Sequence, residues 1–238
     1  MLSLERQNAL REAYRQANPG WRPATEVYAD LVRQQLRPGA RLLDLGCGRG
    51  GLVEQLDHPL RQAAGVDPDL QSLREHRLPL PRAAAFSHHL PFAGGSFDLV
   101  FASWLLEHLA RPSATLGEVR RVLRPGGAFV FITPNGRHPL TWLNRALGHD
   151  GRLQSRIVAR LYGRAHADTF PTCYRANTAV ALRRLAGQNG MALESLEAIA
   201  DPTYLALTPA LFRLMCWMEA RLPRGRRLHL VGVLRRPE

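Results

Sequence analysis

The sequence predicts an α/β fold in which a doubly wound, mostly parallel sheet is flanked by N-terminal helices and carries a helical cap insertion. Four short apolar runs alternate with helical patterns in the first 133 residues. This alternation is typical of parallel strands joined by crossover helices. A glycine cluster follows the first run and an aspartate ends the second, as is typical of the ligand-binding edge of such sheets.

The first elements predicted are two N-terminal helices over residues 4–36. They are separated at Asn18-Pro19-Gly20, and Arg37-Pro38-Gly39 ends the second one, because proline and glycine interrupt helices. Their apolar positions include Leu10, Tyr14, Val27, Leu31 and Val32.

Strand and helix then alternate twice. The run 41–46 predicts a buried strand, followed by a helix through Leu52, Val53 and Leu56. The run 62–67 predicts a second strand, which Pro68 closes and a helix over 69–76 follows.

The pattern continues with a strand at 96–103, a helix at 113–123, a turn at 124–127 and a strand at 128–133. These runs are apolar throughout, which indicates strands that are covered on both faces. They complete the four strands of the predicted parallel sheet.

Beyond residue 134 the pattern becomes irregular, and we interpret residues 135–172 as an insertion capping the open end of the sheet. Two helices are predicted there, near Leu140–Leu147 and Leu153–Leu161. Asn177 or Thr178 is expected to cap a later helix that ends at Asn189-Gly190.

Two final strands, at 191–200 and 227–234, are predicted to be antiparallel edge members. With no repeat or linker visible, a single domain over 1–238 is expected, with four parts: 1–37 as N-terminal helices, 38–134 as the cofactor-binding core, 135–172 as the cap, and 173–238 as the remaining sheet and helices.

Composition indicates a globular protein with one sizeable core, since 45% of the residues are apolar and 22% are charged. Three cysteines, Cys47, Cys173 and Cys216, without CxxC spacing argue against a disulfide framework or a metal site and favour a reducing compartment. The sequence shows no secretory signal and no apolar run of membrane-spanning length. We therefore expect a cytoplasmic protein without a transmembrane span.

The formal charge is +12, and all 32 basic residues are arginines. Arginine pairs with phosphates and carboxylates through two hydrogen bonds, so an anionic partner is compatible with this composition. The charge is spread along the chain instead of forming a run with interleaved aromatics. A nucleic-acid partner is therefore not expected.

The glycine cluster Gly46, Gly48, Gly50 and Gly51 is ambiguous by itself. Glycines directly after a buried strand let the backbone approach a ligand closely. Gly46, Gly48 and Gly51 also satisfy GxGxxG, and Asp67 lies 21 positions after Gly46, near the spacing of dinucleotide-binding enzymes. An NAD(P)-dependent oxidoreductase is therefore one hypothesis.

Asp44 favours another ligand. It places a carboxylate inside an apolar strand two residues before the first glycine, and a buried carboxylate is costly unless a partner compensates it. A pyrophosphate would repel it, whereas a ligand with an ammonium and a sulfonium would be attracted. S-adenosyl-L-methionine is such a ligand.

Four ordered segments over residues 36–135 resemble the class I S-adenosylmethionine-dependent methyltransferases, in particular the quinone-biosynthesis and small-molecule subgroup. They are LLDLGCGRG, GVDPD, LPFAGGSFDLVFASWLLEHL and EVRRVLRPGGAFVFITPN. The resemblance implies a Rossmann-like methyltransferase fold of about seven strands and methyl transfer to a small acceptor. S-adenosyl-L-methionine is the implied cofactor.

The resemblance also implies roles for individual residues. The glycine loop, Gly46, Cys47, Gly48 and Gly50, would hold the methionyl part of the cofactor, with Asp44 near its amino group. Asp67, followed by Pro68, would accept the ribose hydroxyls. The residues expected beside the methionyl chain are Ser103 and Trp104.

One position departs from the family pattern. The family usually has an acidic residue four positions before the LPF leucine, and this sequence has Phe86 there. Adenine recognition is then assigned to Ser87 and His88, with Phe86 as an apolar wall. A cofactor-binding protein without catalysis is accordingly a second hypothesis.

Candidate general bases are His138, which follows a strand end, and His108, expected on the next helical turn facing the cleft. Histidine titrates in the useful range for this role. His166 and Asp168 are further candidates, and the aromatic residues Tyr14, Trp21, Tyr28, Tyr162 and Tyr174 are candidate walls.

The segment 205–222 is rich in apolar residues. The part between Pro209 and Pro223 is too short to span a bilayer. It predicts a packed helix, or one that lines an apolar acceptor pocket or touches a membrane surface with nearby arginines. A hydrophobic, anionic or lipid-linked acceptor fits both features.

Overall fold

The computed structural model describes residues 4–147, 171–204 and 206–238. In this part of the chain, seven strands form one sheet. The strands are β1 Leu42–Leu45, β2 Ala63–Asp67, β3 Arg82–Ala84, β4 Phe97–Ser103, β5 Leu123–Pro134, β6 Ala192–Ile199 and β7 His229–Arg235. The helices are α1 Leu4–Ala17, α2 Ala24–Gln35, α3 Leu70–Arg74, α4 Pro112–Val122, α5 Pro139–Leu147, α6 Ala179–Gln188 and α7 Pro209–Arg221.

The strand order is β3-β2-β1-β4-β5-β7-β6. The first five strands pair in parallel, whereas β7 is antiparallel to both β5 and β6. The predicted doubly wound, mostly parallel sheet is confirmed. The prediction that both final strands lie at an edge was wrong for β7, because it is inserted between β5 and β6.

The sheet is covered on both faces, which explains the continuous apolar runs. Leu43 and Phe131 face a cluster that includes α4 and α6. Leu42 and Ile132 face the other cluster, which includes Val32 of α2. Adjacent residues of one strand therefore point to opposite cores, as the two-residue strand period requires.

The predicted pair of N-terminal helices is confirmed, with a break at Pro19-Gly20, where Gly20 has a φ of 88°. Helix α2 buries Ala24, Tyr28 and Val32 along one face at helical spacing. This face lies against β5 and β7. It brings the N-terminal segment into contact with the centre of the sheet.

Three local predictions differ from the structure. The helix expected after the glycine loop is a single 3-10 segment, Leu52–Gln55. The turn expected at 124–127 is a bulge within β5, since Phe97 pairs with Leu123 while Leu99 pairs with Ala128. Strand β3 was not predicted, because its three half-exposed or exposed residues show no buried pattern.

The C-terminal predictions are largely confirmed. Thr178 caps α6 by accepting a hydrogen bond from the Ala181 backbone N–H at 3.1 Å. The helix ends at Gln188 with Asn189 as its C-cap, and Gly190 follows with a φ of 62°. Helix α5 matches the first helix predicted in the insertion, whereas the one predicted near Leu153–Leu161 lies outside the described residues. Among the described helices, none has the length and apolarity needed to cross a membrane.

Substitution of Gly232 tests how closely β7 packs between β5 and β6. A Cβ at this position would lie 2.8 Å from Phe131 Cζ and 2.9 Å from the Ser195 carbonyl oxygen. We expect Gly232→Ala to lower the free energy of unfolding by about 1–3 kcal/mol through overpacking, as measured by urea denaturation.

Gly187 in α6 is the matched control, because a Cβ there would have no heavy atom within 4 Å. Gly187→Ala should leave stability unchanged or raise it by up to about 1 kcal/mol through helix propensity. Equal effects of the two substitutions would contradict the packing described for β7.

Candidate active site

The carboxyl ends of the parallel strands meet at one edge of the sheet. The chain progresses outward in opposite directions from β1 and β4, which are neighbours. Ligands of doubly wound sheets bind at such a reversal point, in the crevice beyond the strand ends. The glycine loop after β1, Asp67 at the end of β2 and Ser103 at the end of β4 all lie at this edge.

The glycine loop is fastened to β2 by its own backbone. The N–H groups of Gly46 and Cys47 donate to the Val66 carbonyl oxygen at 2.8 and 3.0 Å. The Gly48 N–H donates to Asp67 Oδ2 at 2.9 Å. Gly48 has a φ of 48°, and a Cβ there would meet no atom within 4 Å. The loop therefore presents bare backbone to open space.

Asp67 is held from two sides and is only 7% exposed. Its Oδ2 accepts from Gly48, and its Oδ1 accepts from the Asp69 N–H at 2.9 Å. A carboxylate has about four acceptor positions, so both oxygens keep capacity for a further hydrogen bond. Asp67 can accept two hydroxyl groups of one diol.

Asp44 lies at the third position of β1 and is 4% exposed. Within the described residues, no hydrogen bond or ion pair reaches its carboxyl group. Burial raises the pKa of Asp44 to about 7, with further contributions from the charges of Asp67 and Glu54. A buried carboxyl group of this kind is stabilised in its ionised form when a cation binds beside it.

Tyr28 of α2 forms a wall of the same edge. Ser103 Oγ donates to Tyr28 Oη at 3.1 Å. Burial, and then the nearby charge of Asp44, raises the pKa of Tyr28 well above its ordinary value. Tyr28, one of the candidate aromatic walls, is thus a neutral hydroxyl group beside Asp44.

Trp104, directly after β4, adopts a φ of 56°, which is unusual for a residue other than glycine. Its N–H donates to the Ile132 carbonyl oxygen at 3.0 Å. The indole remains 36% exposed and meets the His229 ring edge-on, with 4.9 Å between ring centroids. The backbone thus holds a large aromatic ring at the site edge.

His138 does not line the open cleft in this structure. Its imidazole is fully buried, with Nε2 3.5 Å from Glu219 Oε1, while Nδ1 accepts from the Leu140 N–H at 3.1 Å. Catalysis by His138 stays a prediction. It would require the side chain to leave this enclosed position.

The remaining predicted cofactor residues lie around the same edge in different settings. Pro68 is exposed. Ser87 Oγ lies 3.0 Å from Thr115 Oγ1, and the His88 ring is stacked on Phe86 at 5.6 Å between centroids. The Cys47 side chain is buried against Gly65, and its backbone N–H donates to the Val66 carbonyl oxygen.

His108 is held at Nδ1 by the Pro171 carbonyl oxygen at 3.0 Å, and its predicted role as a base stays a prediction. Its neighbour Glu107, which we did not predict, is 5% exposed and accepts from Thr133 Oγ1 at 2.9 Å. Burial raises the pKa of Glu107 to about 7. The sequence signal that could have identified Glu107 is an acidic residue inside the mostly apolar run 105–109. His166, Asp168 and Tyr162 lie outside the described residues.

Comparison with known families agrees with this geometry. Residues 43–131 match the family described as "Methyltransferase domain". The ubiquinone biosynthesis O-methyltransferase of Sodalis glossinidius is 31% identical over 130 residues, which cover 51% of this chain and 51% of that protein. The chain spans about half the length of the curated relatives it matches.

Two solved structures have the same fold. One is the methyltransferase in complex with the Haloferax volcanii Trm112 activator, with a TM-score of 0.63, 17% identity, and coverage of 99% of this chain and 95% of that one. The other is geranyl diphosphate C-methyltransferase from Streptomyces coelicolor, with a TM-score of 0.58, 17% identity, and coverage of 89% and 77%.

Together, the sheet order and the site define a doubly wound α/β domain. The match of residues 43–131 to the methyltransferase-domain family agrees with the sequence resemblance.

Asp44 generates a pH-dependent prediction. Its pKa is raised from 3.8 to about 7 by folding, so its contribution to stability is full below about pH 4 and is lost as pH rises to about 7. Asp44→Asn cannot ionise. We expect the variant to gain about 2–4 kcal/mol over the wild type between pH 4 and pH 8, measured by urea denaturation.

Asp98→Asn is the matched control, for which the stability difference from the wild type is expected to change with pH in the opposite direction. Despite partial burial, hydrogen bonds from Arg41 and Arg124 hold the pKa of Asp98 below its ordinary value. This variant should lose stability relative to the wild type as pH rises above its folded pKa. A constant difference between Asp44→Asn and wild type across this range would contradict the protonated state of Asp44.

Proposed function

We propose that this protein is an S-adenosyl-L-methionine-dependent methyltransferase that transfers a methyl group to a small acceptor. One observation carries the proposal: Asp44 is a buried carboxyl group without a hydrogen-bonding partner in the described residues, at the ligand-binding edge of the sheet. Binding a cation there compensates its charge. An amino acid ammonium and a sulfonium are such cations.

The glycine loop supports this proposal over a dinucleotide enzyme. Pyrophosphate sites use free N–H groups at the start of a helix. Here the N–H groups of Gly46, Cys47 and Gly48 are already donated within the protein, and the following segment is a four-residue 3-10 helix. Together with the repulsion from Asp44, this disfavours an oxidoreductase.

Each part of the cofactor has a candidate partner. Asp67 would accept the two ribose hydroxyls, because both of its oxygens are held at the cleft with capacity to spare. The bare backbone at Gly48 would cover the methionyl chain. Trp104 and Ser103 would border that chain at the end of β4, while Ser87 and His88, next to Phe86, would border the adenine.

The cofactor supplies an activated methyl group. In the transfer, a lone pair of the acceptor forms a bond to the methyl carbon while the carbon–sulfur bond breaks, and its electron pair stays on sulfur. An acceptor O–H or C–H also releases its proton. The protein contributes alignment and exclusion of water.

The choice of base depends on the acceptor. His108 and His138 remain proposals for this role, and the burial of His138 makes it the weaker of the two. An acceptor that is already ionised, such as a phenolate or a carboxylate, needs no base. We propose O- or C-methylation of a hydrophobic or anionic acceptor, including a lipid-linked one.

The exposed apolar residues of the C-terminal region support a hydrophobic acceptor. Trp142 of α5 and Trp217 of α7 are 67% and 54% exposed. The segment 205–222 forms α7, which buries Met215 and Glu219 while Leu214 and Trp217 stay on its outer side. Contact with a membrane surface is compatible with this arrangement.

A cofactor-binding protein without methyl transfer is the second candidate, because Phe86 replaces the acidic residue usual in the family. Its side chain is 62% exposed. Turnover distinguishes the two candidates, since both bind the cofactor and only one consumes it. A screen with hydrophobic phenols, quinones and carboxylates is the corresponding activity assay.

The first test is calorimetric titration of the protein with S-adenosyl-L-homocysteine, with NAD and NADP as controls. We expect micromolar affinity for S-adenosyl-L-homocysteine and none for the dinucleotides, because Asp44 repels a pyrophosphate. Binding of NAD or NADP alone would contradict the proposed function.

Asp67→Asn tests the ribose contact. The amide keeps one acceptor oxygen and loses the charge, so S-adenosyl-L-homocysteine affinity should fall by about 1–3 kcal/mol, which is about fivefold to over a hundredfold. Glu194→Gln on the far edge strand is the control, and its affinity should equal that of the wild type. Unchanged affinity in a folded Asp67→Asn variant would overturn the assignment.

A further inference from the structure

A groove of about 410 Å³ lies just beyond the carboxyl end of β5. Its lining residues are Gly136, Arg137, Pro139, Trp142 and Arg226. The first four come from the connection to α5 and from its first turn, and the fifth comes from the 3-10 turn that follows α7. The groove thus joins two segments that are far apart in sequence.

Hydrogen bonds hold the two walls of the groove together. Asn135 Nδ2 donates to the carbonyl oxygens of Gly225 and Arg227 at 3.1 and 2.8 Å. The Asn135 N–H donates to the Leu228 carbonyl oxygen at 2.7 Å. Asn135 is 1% exposed. The buried amide makes the separation of the walls a fixed feature of the fold.

Two arginines and a tryptophan are among the residues that line the groove, and most of its surface is apolar. Neither the Arg137 nor the Arg226 side chain forms an ion pair or hydrogen bond with the described residues, and none of the five lining residues is acidic. Elsewhere an exposed arginine such as Arg124 is paired with a carboxylate, Asp98. Two arginines that line one groove, neither of them paired within the described residues, are complementary to an anion.

Trp142 provides the apolar part, with 67% of its surface exposed. A tryptophan ring beside a cationic region is suited to a molecule with an apolar chain and a charged end. The combination distinguishes this groove from a site for inorganic phosphate alone.

The groove begins two residues beyond β5, a strand that is linked to the proposed cofactor site. Pro134 at the end of β5 pairs with His229 of β7, and the His229 ring contacts Trp104 at 4.9 Å between centroids. Gly136 follows Pro134 by two residues. Strand pairing and a ring contact therefore link the groove to Trp104, the residue that we propose borders the methionyl chain.

We propose that this groove binds the anionic end of the methyl acceptor, a carboxylate or phosphate attached to an apolar chain. Arg137 and Arg226 bind the anion, and the adjacent part of the chain lies against Trp142. This assignment rests on the proposed function and deepens it by naming the chemical class of the acceptor.

The test is calorimetric titration of the protein, saturated with S-adenosyl-L-homocysteine, using monomeric octyl phosphate and octanoate as probes. Octanol and inorganic phosphate are the comparison probes. We expect the two amphiphiles to bind at least tenfold more tightly than either comparison probe, because only they engage both parts of the groove.

The variant Arg137→Gln/Arg226→Gln should bind octyl phosphate at least tenfold more weakly than the wild type. Arg61→Gln is the matched control, since Arg61 is an exposed arginine without a partner in the described residues and precedes β2 at the opposite sheet edge. This control should bind as the wild type does. All the altered side chains are exposed, and circular dichroism verifies folding.

Equal binding of octyl phosphate by the double variant and the wild type would overturn the proposal. Equal affinities for octanol and octyl phosphate would also overturn it, because the groove would then bind only the apolar chain. Equal affinities for inorganic phosphate and octyl phosphate would overturn it as well, because the groove would then bind only the anion. Sedimentation with phosphatidylglycerol vesicles, without binding of the monomeric amphiphiles, would replace it with a membrane-docking surface.

Failure of the proposed function gives a different result. Titration of the same variants with S-adenosyl-L-homocysteine alone should give the wild-type affinity. Absence of that binding in the wild type would overturn the proposed function. Loss of octyl phosphate binding in the double variant, with S-adenosyl-L-homocysteine binding intact, supports the groove assignment.

Discussion

The site is organised around the carboxyl group of Asp44, which β1 buries at the centre of the sheet. Burial disfavours its charged form and raises its pKa to about 7. Among the described residues, the neighbouring groups supply no positive charge to Asp44. Tyr28 beside it is a neutral hydroxyl group, and the glycine loop offers few free N–H groups. A cationic ligand is the partner that this environment favours.

Asp67 connects the loops that surround Asp44. By accepting from Gly48 and Asp69, it connects the loop after β1 to the loop after β2. One carboxylate therefore connects both loops, and its oxygens keep acceptor capacity. The two acids differ in their surroundings, because backbone N–H groups donate to Asp67 and none within the described residues donates to Asp44.

Much of this site could be predicted from the sequence. Asp44 and the glycines were visible because a carboxylate inside an apolar run and glycines at a strand end are local signals. The same signal, an acid in an apolar run, was present at Glu107 and was not used. The short 3-10 helix after the loop was not predictable from periodicity, because its apolar residues also fit a longer helix.

By itself, the sequence determined the alternation of strands and helices, the carboxyl edge of the parallel strands and the acids Asp44 and Asp67. These follow from patterns that span only a few residues. Tertiary structure decided the insertion of β7 beside β5, the burial of His138 against Glu219 and the joining of Arg137 and Arg226 in one groove. Each of these depends on contacts between segments distant along the chain, which no local pattern encodes.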